Sequence, residues 1–356
     1  MNSKHLPRNI SRLDGCTVTG ALTVSAFVKN AATIVHGPRG CAHQASSVFH
    51  SAMLYNECFD IPDIFSSGMD EKGIIFGGED YLENAIKEAV SEDFRCIFVI
   101  GTCISDTIGD DIDSVCAKER GVPVIPISAS GFLGGSFDDG FISALKAVST
   151  LIDDSDEQNY SNYNSELDIP LVNIIGEKNL EYEVDENFSE VKRLLKLLGA
   201  DVNLRFVRNI TVDEIKKFNN ASLNIIREDP TGEISQHFND LTGIPSVPSF
   251  PYGISGTLNF LNTAGKLLNI NPDSAIKQEK NYQTEMFSNF EILRGERVSF
   301  DSFGFQKAES SVFSEIAENT GIVTDPEGAV IPVPFYTPVG TTGVKKMLSQ
   351  WRRFLK

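Results

Sequence analysis

Cysteine is missing from the chain after Cys116, although six cysteines stand up to that point: Cys16, Cys41, Cys58, Cys96, Cys103 and Cys116. A disulfide-stapled secreted framework would be shorter and would spread its cysteines, so this clustering argues for metal or redox chemistry instead. No two of them form a C-x-x-C pair, which excludes a zinc ribbon, a thioredoxin-type site and a ferredoxin run. Basic residues are in deficit. Against 49 Asp and Glu stand 31 Lys and Arg, a net charge of −18. Such a balance disfavours wrapping nucleic acid or lying on an anionic membrane, so neither is expected as a partner. A run of about 18 apolar residues, which a membrane span needs, is absent. The opening MNSKHLPRNISRLDG has no apolar core of a secretory signal, and the expected location is the cytoplasm. The glycines between Gly131 and Gly135 lack the Gly-Lys-Ser/Thr ending of a P-loop, so the chain is not expected to hydrolyse ATP itself.

What is present is an alternation of apolar runs and helical patterns. Ile97-Phe98-Val99-Ile100 reads as a strand buried on both faces, stopping at Gly101. Thr102 to Asp106 reads as a turn. Ile108 to Arg120 reads as a helix, with Ile108, Ile112 and Val115 on one face and Gly121 ending it. Cys103 is thereby placed just past a parallel strand, where open α/β sheets put their sites. A nearby helix N-terminus favours its thiolate. Ala32 to His36 is a second strand, His36-Gly37-Pro38-Arg39-Gly40-Cys41 a turn, and Ala42 to Leu54 a helix, so Cys41 stands in the same situation. Gly15-Cys16-Thr17 precedes a helix of small residues, Thr19 to Phe27. Gly73 to Asp80 reads as a short strand entering a glycine turn. Tyr81 to Val90 is an amphipathic helix with Leu82, Ala85, Ile86 and Ala89 inward. Val122 to Ile127 is a strand and Gly140 to Ile152 a helix.

This alternation predicts an α/β chain with doubly wound, parallel, Rossmann-like sheets. Residues 1–155 form the first domain, with Met1 to Asp14 as an arm, and the acidic, polar residues 156–168 form a linker. Residues 169–270 repeat the pattern, with strands at Leu171–Gly176, Asp201–Val207 and Ser222–Ile226 and helices at Phe188–Leu198 and Ile234–Thr242. Residues 271–356 read as helical or irregular: a long helix over Gln278–Arg297, helices at Ser311–Asn319 and Val344–Leu355, and a strand-like run over Ala329–Phe335.

Three cysteines follow a glycine turn or a strand end: DGC at Cys16, GPRGC at Cys41 and GTC at Cys103. Separate loops meeting at one end of a sheet suit an iron–sulfur cluster. Three thiolates leave one iron for a ligand from elsewhere, such as another subunit. Asp110, Asp111 and Asp113 read as helix N-terminal acids favoured by the dipole. His36 reads as a hydrogen-bonded turn residue, and His43 and His50 as surface or interface histidines.

With these motifs in order, the sequence resembles the nitrogenase component-one-like oxidoreductases. HGPRGCAH resembles the family's HGP-x-GC turn, FGGEDYLENAI its GGE-x-x-L helix start, and GTCISDTIGDDIDSV its strand–Cys–IGDDI motif. NIIGE, FNDLTGIP and PYGISGT continue the likeness, which covers roughly residues 10 to 270. The resemblance implies that Cys16, Cys41 and Cys103 match the cluster-bridging cysteines. These would hold a 4Fe–4S or a P-cluster-like 8Fe–7S cluster at a subunit interface. It further implies an ATP-dependent iron protein as electron donor, and a homologous subunit or a second copy as partner. Gly40 and Gly101 are then the permissive positions that let the loops approach the cluster. Cys58, Cys96 and Cys116 match no family ligand and read as packing.

The sequence also departs from the family. With no cysteine after Cys116 and His237 the sole histidine downstream, the usual ligands of an iron–molybdenum type cofactor are missing. The third α/β domain is reduced. The expected function is an iron–sulfur reductase subunit acting on a tetrapyrrole or a small molecule. A cluster-assembly scaffold without turnover, or a pairing subunit with a degenerate site, are the alternatives.

Overall fold

The structure is a computed structural model. It describes residues 15–55, 62, 64–132, 134–152, 169–181, 183–300 and 310–356. The arm at Met1 to Asp14, Cys58 and the linker at 156–168 lie outside these described residues. The chain divides into two compact units. One comprises residues 1–163, 174–182 and 204–220; the other comprises 164–173, 183–203 and 221–356.

The first unit is built on a four-stranded parallel sheet. Its elements in order are α1 (Thr17–Ser25), β1 (Ala31–His36), α2 (Arg39–Tyr55), β2 (Ile64–Ser66), α3 (Glu71–Phe76), α4 (Glu79–Ser91), β3 (Cys96–Gly101), α5 (Cys103–Ile108), α6 (Ile112–Cys116), β4 (Val124–Ser128) and α7 (Phe137–Ser149). The strand order is β2-β1-β3-β4. Every residue of β1 and β3 is buried, as their uninterrupted apolar runs require of central strands. Leu82, Ala85, Ile86 and Ala89 of α4 close one face over Ile34, Ile97 and Val99. From β1 the chain returns to β2 on one side, and from β3 to β4 on the other. The β1/β3 boundary is therefore a topological switch point, with a crevice expected at the carboxyl ends.

Three local expectations change in the first unit. Gly73–Phe76 is not a strand but the end of α3. The Asp70 carboxylate accepts from the Lys72 and Gly73 amides and starts a helix there. That turn leaves Ile75 and Phe76 exposed, at 71% and 85%. The turn expected at Thr102 is already helical from Cys103. The helix expected over Ile108–Arg120 is split, because Gly109 takes a left-handed conformation and caps α5, and Asp111 restarts the chain as the N-cap of α6 by accepting from Ser114.

The remaining elements are β5 (Leu171–Ile175), α8 (Val184–Leu197), β6 (Asp201–Phe206), α9 (Val212–Ile215), β7 (Leu223–Ile226), α10 (Glu233–Thr242), β8 (Ser246–Val247), α11 (Ser255–Leu267), α12 (Asp273–Ser288), β9 (Arg297–Ser299), α13 (Ser310–Thr320), β10 (Val323–Thr324), β11 (Ala329–Val330) and α14 (Gly340–Leu355). The second sheet runs β6-β5-β7-β8. A short third sheet, β10-β9-β11, is parallel where the sequence reads as irregular. It packs with α13 and α14 around the fully buried Trp351, whose indole N–H donates to the Pro332 carbonyl at 2.8 Å. The helix expected over Gln278–Arg297 is α12, which starts earlier and stops at Ser288. The strand-like run from Ala329 shrinks to β11, since prolines at 332 and 334 cannot donate to a ladder.

In the first unit, α1 touches α7 backbone to backbone. A Cβ on Gly20 would lie 2.0 Å from the Phe137 carbonyl oxygen, and one on Gly140 would lie 2.0 Å from that of Thr17. No side chain can retreat from such a contact, so the helices would have to separate. Gly140→Val should therefore lower stability by about 1–3 kcal/mol, read as a lower urea midpoint. An unchanged midpoint would contradict this packing.

Candidate functional site

The three cysteines predicted as ligands all stand at helix starts. Cys16 is the N-cap of α1, Cys41 lies in the first turn of α2, and Cys103 is the first residue of α5. Cys16 is exposed; Cys41 and Cys103 are half-buried. β1 and β3 pair with His36 opposite Gly101, so the loops bearing Cys41 and Cys103 leave the same edge of the sheet side by side. The loops touch at once. The Thr102 amide donates to the His36 carbonyl at 3.2 Å. A Cβ on Gly37 would lie 2.2 Å from Thr102 Oγ1. Burial pushes the Cys41 thiol up, and the charges of Cys16 and Cys103 push it further the same way. Among the described residues no three His, Cys, Asp or Glu converge closely enough to hold a single metal ion. A polynuclear core spans its ligands and does not require them to converge on one point.

Gly40 and Gly101 behave differently. Gly101 leaves room for Ile112, whose Cδ1 would lie 2.8 Å from a Cβ there. Gly40 faces open space, with no atom within 4 Å of a Cβ position. Of the other cysteines, Cys96 and Cys116 are buried and their thiols are pushed up to about 12 by desolvation. Both are inert packing groups. His43 and His50 are exposed on α2.

Beneath the cysteines lies a buried polar network that the spacing of the motifs does not reveal. His36 Nε2 meets Asp110 Oδ2 at 3.0 Å, and His36 Nδ1 meets Ser67 Oγ at 3.0 Å. The Gly78 amide donates to Asp110 Oδ1 at 2.8 Å, and the Gly37 amide to Ser67 Oγ at 3.0 Å. HGP, GGE and IGDD are therefore one hydrogen-bonded set. Asp110 is not a helix N-terminal acid but the partner of His36 and Gly78. Gly78 has no room for a side chain, since a Cβ would lie 2.5 Å from Asp110 Oδ2. A carboxylate only accepts, so Nε2 carries the imidazole proton and Nδ1 accepts from Ser67. Burial holds the His36 pKa below its usual value, although Asp110 pulls the other way.

The glycine stretch that begins at Gly131 has a role its sequence does not announce. The Gly131 amide donates to Cys103 Sγ at 3.2 Å. A Cβ there would lie 2.7 Å from Thr17 Oγ1. The loop after β4 thus fills the notch between the start of α1 and Cys103. The hydroxyls of Thr17, Thr102 and Ser130 are buried with no hydrogen-bond partner among the described residues. Buried hydroxyls without partners are costly unless a group completes the site. With three thiols at helix starts, this donor set fits an iron–sulfur cluster.

The second unit holds a separate cleft of ≈ 210 Å³ after β7 and β8, lined by Arg227, Asp229, Tyr252 and Tyr336 among others. Arg227 is buried, contacts the Tyr252 hydroxyl, and stacks over the Phe250 and Tyr252 rings at 5.2 Å each.

A family model described as nitrogenase component 1 type oxidoreductase matches residues 16–300. The chain is 32% identical over 283 residues to the nitrogenase iron-molybdenum cofactor biosynthesis protein NifE of Clostridium pasteurianum, covering 78% of this chain and 58% of that protein. It is 26% identical over 305 residues to the nitrogenase molybdenum-iron protein alpha chain of Methanothermobacter marburgensis, covering 80% and 62%. The solved structure of nitrogenase Cp1 at pH 6.5 superposes with a TM-score of 0.62 over 87% of this chain and 60% of that one, at 24% identity, a likeness of fold. The chain spans less than two thirds of the length of each of these relatives.

The buried network carries two expected outcomes. Asp110→Ala strands the His36 and Gly78 N–H groups and should cost about 2–4 kcal/mol, read by urea unfolding. Because the folded His36 pKa lies below the unfolded value of 6.5, the unfolded chain takes up the proton first as pH falls. This stability is complete above pH 6.5 and declines below it. His36→Gln should flatten that part of the stability–pH curve between pH 7.5 and 5.5; an identical slope in wild type and variant would contradict the assignment.

Proposed function

Because the chain belongs to the nitrogenase component 1 type oxidoreductases, we propose that it is an iron–sulfur subunit with Cys16, Cys41 and Cys103 as ligands. It would act as a reductase together with a separate ATP-dependent iron protein, in the cytoplasm. The observation that carries this reading is that three thiols stand at three helix starts whose flanking residues touch: the Thr102 amide donates to the His36 carbonyl, and Gly131 lies between Thr17 and Cys103 Sγ. A 4Fe–4S or 8Fe–7S cluster, when bound, supplies one-electron capacity between the iron protein and an acceptor. The chain's own residues do the rest. The thiols release their protons on binding metal. The N-termini of α1 and α2 favour negative charge where Cys16 and Cys41 stand. His36, Ser67, Gly78 and Asp110 lock the loops that carry Cys41 and Cys103. The exposure of Cys16 leaves the site open to a further ligand from a homologous subunit or a second copy. Arg227, set among aromatic rings, suits an acceptor that carries a carboxylate, a tetrapyrrole or a smaller molecule.

A second reading is a cluster-assembly scaffold without turnover. It is favoured by the 32% identity to a protein named for cofactor biosynthesis. Turnover separates the two. The anaerobically reconstituted chain is mixed with an ATP-dependent iron protein, ATP and dithionite. Sustained, acceptor-dependent oxidation of dithionite that falls to background in Cys41→Ala supports the reductase. Stoichiometric delivery of iron to a metal-free acceptor protein, with no sustained oxidation, supports the scaffold and contradicts the reductase.

A further inference from the structure

The loop after β4 makes a contact that metal ligation alone does not require. The Gly131 main-chain N–H donates to Cys103 Sγ at 3.2 Å. Two glycines make this approach possible. At Gly131 a Cβ would stand 2.7 Å from Thr17 Oγ1 and 3.4 Å from Cys103 Sγ. At Gly135 it would stand 2.5 Å from the Ser130 carbonyl oxygen and 3.1 Å from Thr17 Cγ2. The loop is therefore folded tightly and pressed into the notch between Thr17 and Cys103. Any side chain at position 131 would be forced against Thr17 and would draw the amide away from the sulfur.

We propose that the Gly131 amide is a tuning and positioning group for Cys103: its N–H stabilises negative charge on the sulfur and thereby raises the reduction potential of the iron–sulfur centre that Cys103 helps to hold. The proposal rests on the iron–sulfur reading above. Its physical basis is general. One-electron reduction, with dithionite as the electron source, adds negative charge that the cysteine sulfurs share, and no bond to carbon forms or breaks. A fixed N–H dipole aimed at the sulfur favours the more negative state, and hydrogen bonds to sulfur are among the determinants of cluster potential. A main-chain donor cannot rotate away, unlike a hydroxyl, so the interaction is preorganised.

The test uses Gly131→Ala and the double variant Thr17→Ala/Gly131→Ala. Thr17 Oγ1 has no hydrogen-bond partner among the described residues. Its removal makes room for the new methyl group, and the single variant Thr17→Ala, loaded in the same way, supplies the reference potential for the double variant. Each protein is loaded anaerobically, its iron and sulfide are measured, and its midpoint potential is read by dithionite titration with electron paramagnetic resonance. Gly131→Ala should keep its iron and shift the reduction equilibrium about tenfold toward the oxidised form, which is about 59 mV for one electron. The double variant should recover most of that shift. A fully loaded Gly131→Ala protein with the wild-type potential overturns the proposal. Hydrogen exchange on the metal-free chain tests the contact without iron. The Gly131 amide should be protected in wild type and lose that protection in Cys103→Ala; equal exchange in the two also overturns the proposal. If wild type binds no iron while the amide behaves as expected, the iron–sulfur reading fails and the N–H···S contact stands.

Discussion

The register in which β1 lies beside β3 governs the rest of the candidate site. Pairing His36 with Gly101 brings two loops off the sheet at the same height, one bearing Cys41 and the other Cys103. A shift of one residue would turn His36 to the opposite face and part it from Asp110. The register is held by fully apolar strands and by the buried imidazole–carboxylate contact at their carboxyl ends. The loops that carry Cys41 and Cys103 leave the switch point together and touch where the Thr102 amide meets the His36 carbonyl.

The third cysteine reaches the same edge by another route. Cys16 precedes a short helix of small residues, and that helix is located by main chain lying against main chain at Gly20 and Gly140. The loop after β4 then fills the remaining notch, with Gly131 between Thr17 and Cys103. Three segments distant in sequence thus meet through contacts that only glycine permits. The same logic explains why the polar network beneath them is fully paired: a buried carboxylate or imidazole left without partners would cost more than the loops could offset.

Much of this architecture was legible in the residues. β1, β3 and α4 follow from apolar runs and spacing, and the cysteine turns follow from glycine and proline beside them. Ile74, Ile75 and Phe76 misled because β-branched and aromatic residues read as strand, while the Asp70 cap that makes them helical acts from outside the run. Gly109 hid a helix end inside an apparently continuous pattern, because one left-handed glycine does not interrupt apolar periodicity. Asp110 was placed with its acidic neighbours, since its partners His36 and Gly78 are remote in sequence. Gly131 is legible only as the start of a glycine-rich stretch: a main-chain donor to sulfur leaves no side chain to read. The short parallel sheet around Trp351 was missed because its strands are two or three residues long.

The proposal that Cys16, Cys41 and Cys103 together hold iron and sulfide stands or falls on metal content. Chemical iron and sulfide analysis of the anaerobically purified chain, with its electron paramagnetic resonance spectrum, tests that claim most directly when repeated on the three single Cys→Ala variants and on Cys116→Ala. Iron and sulfide are expected in wild type and Cys116→Ala, with loss of both, and a changed or absent signal, in each of the other three. Wild-type protein free of iron under these conditions, or iron content indifferent to all three substitutions, would contradict it.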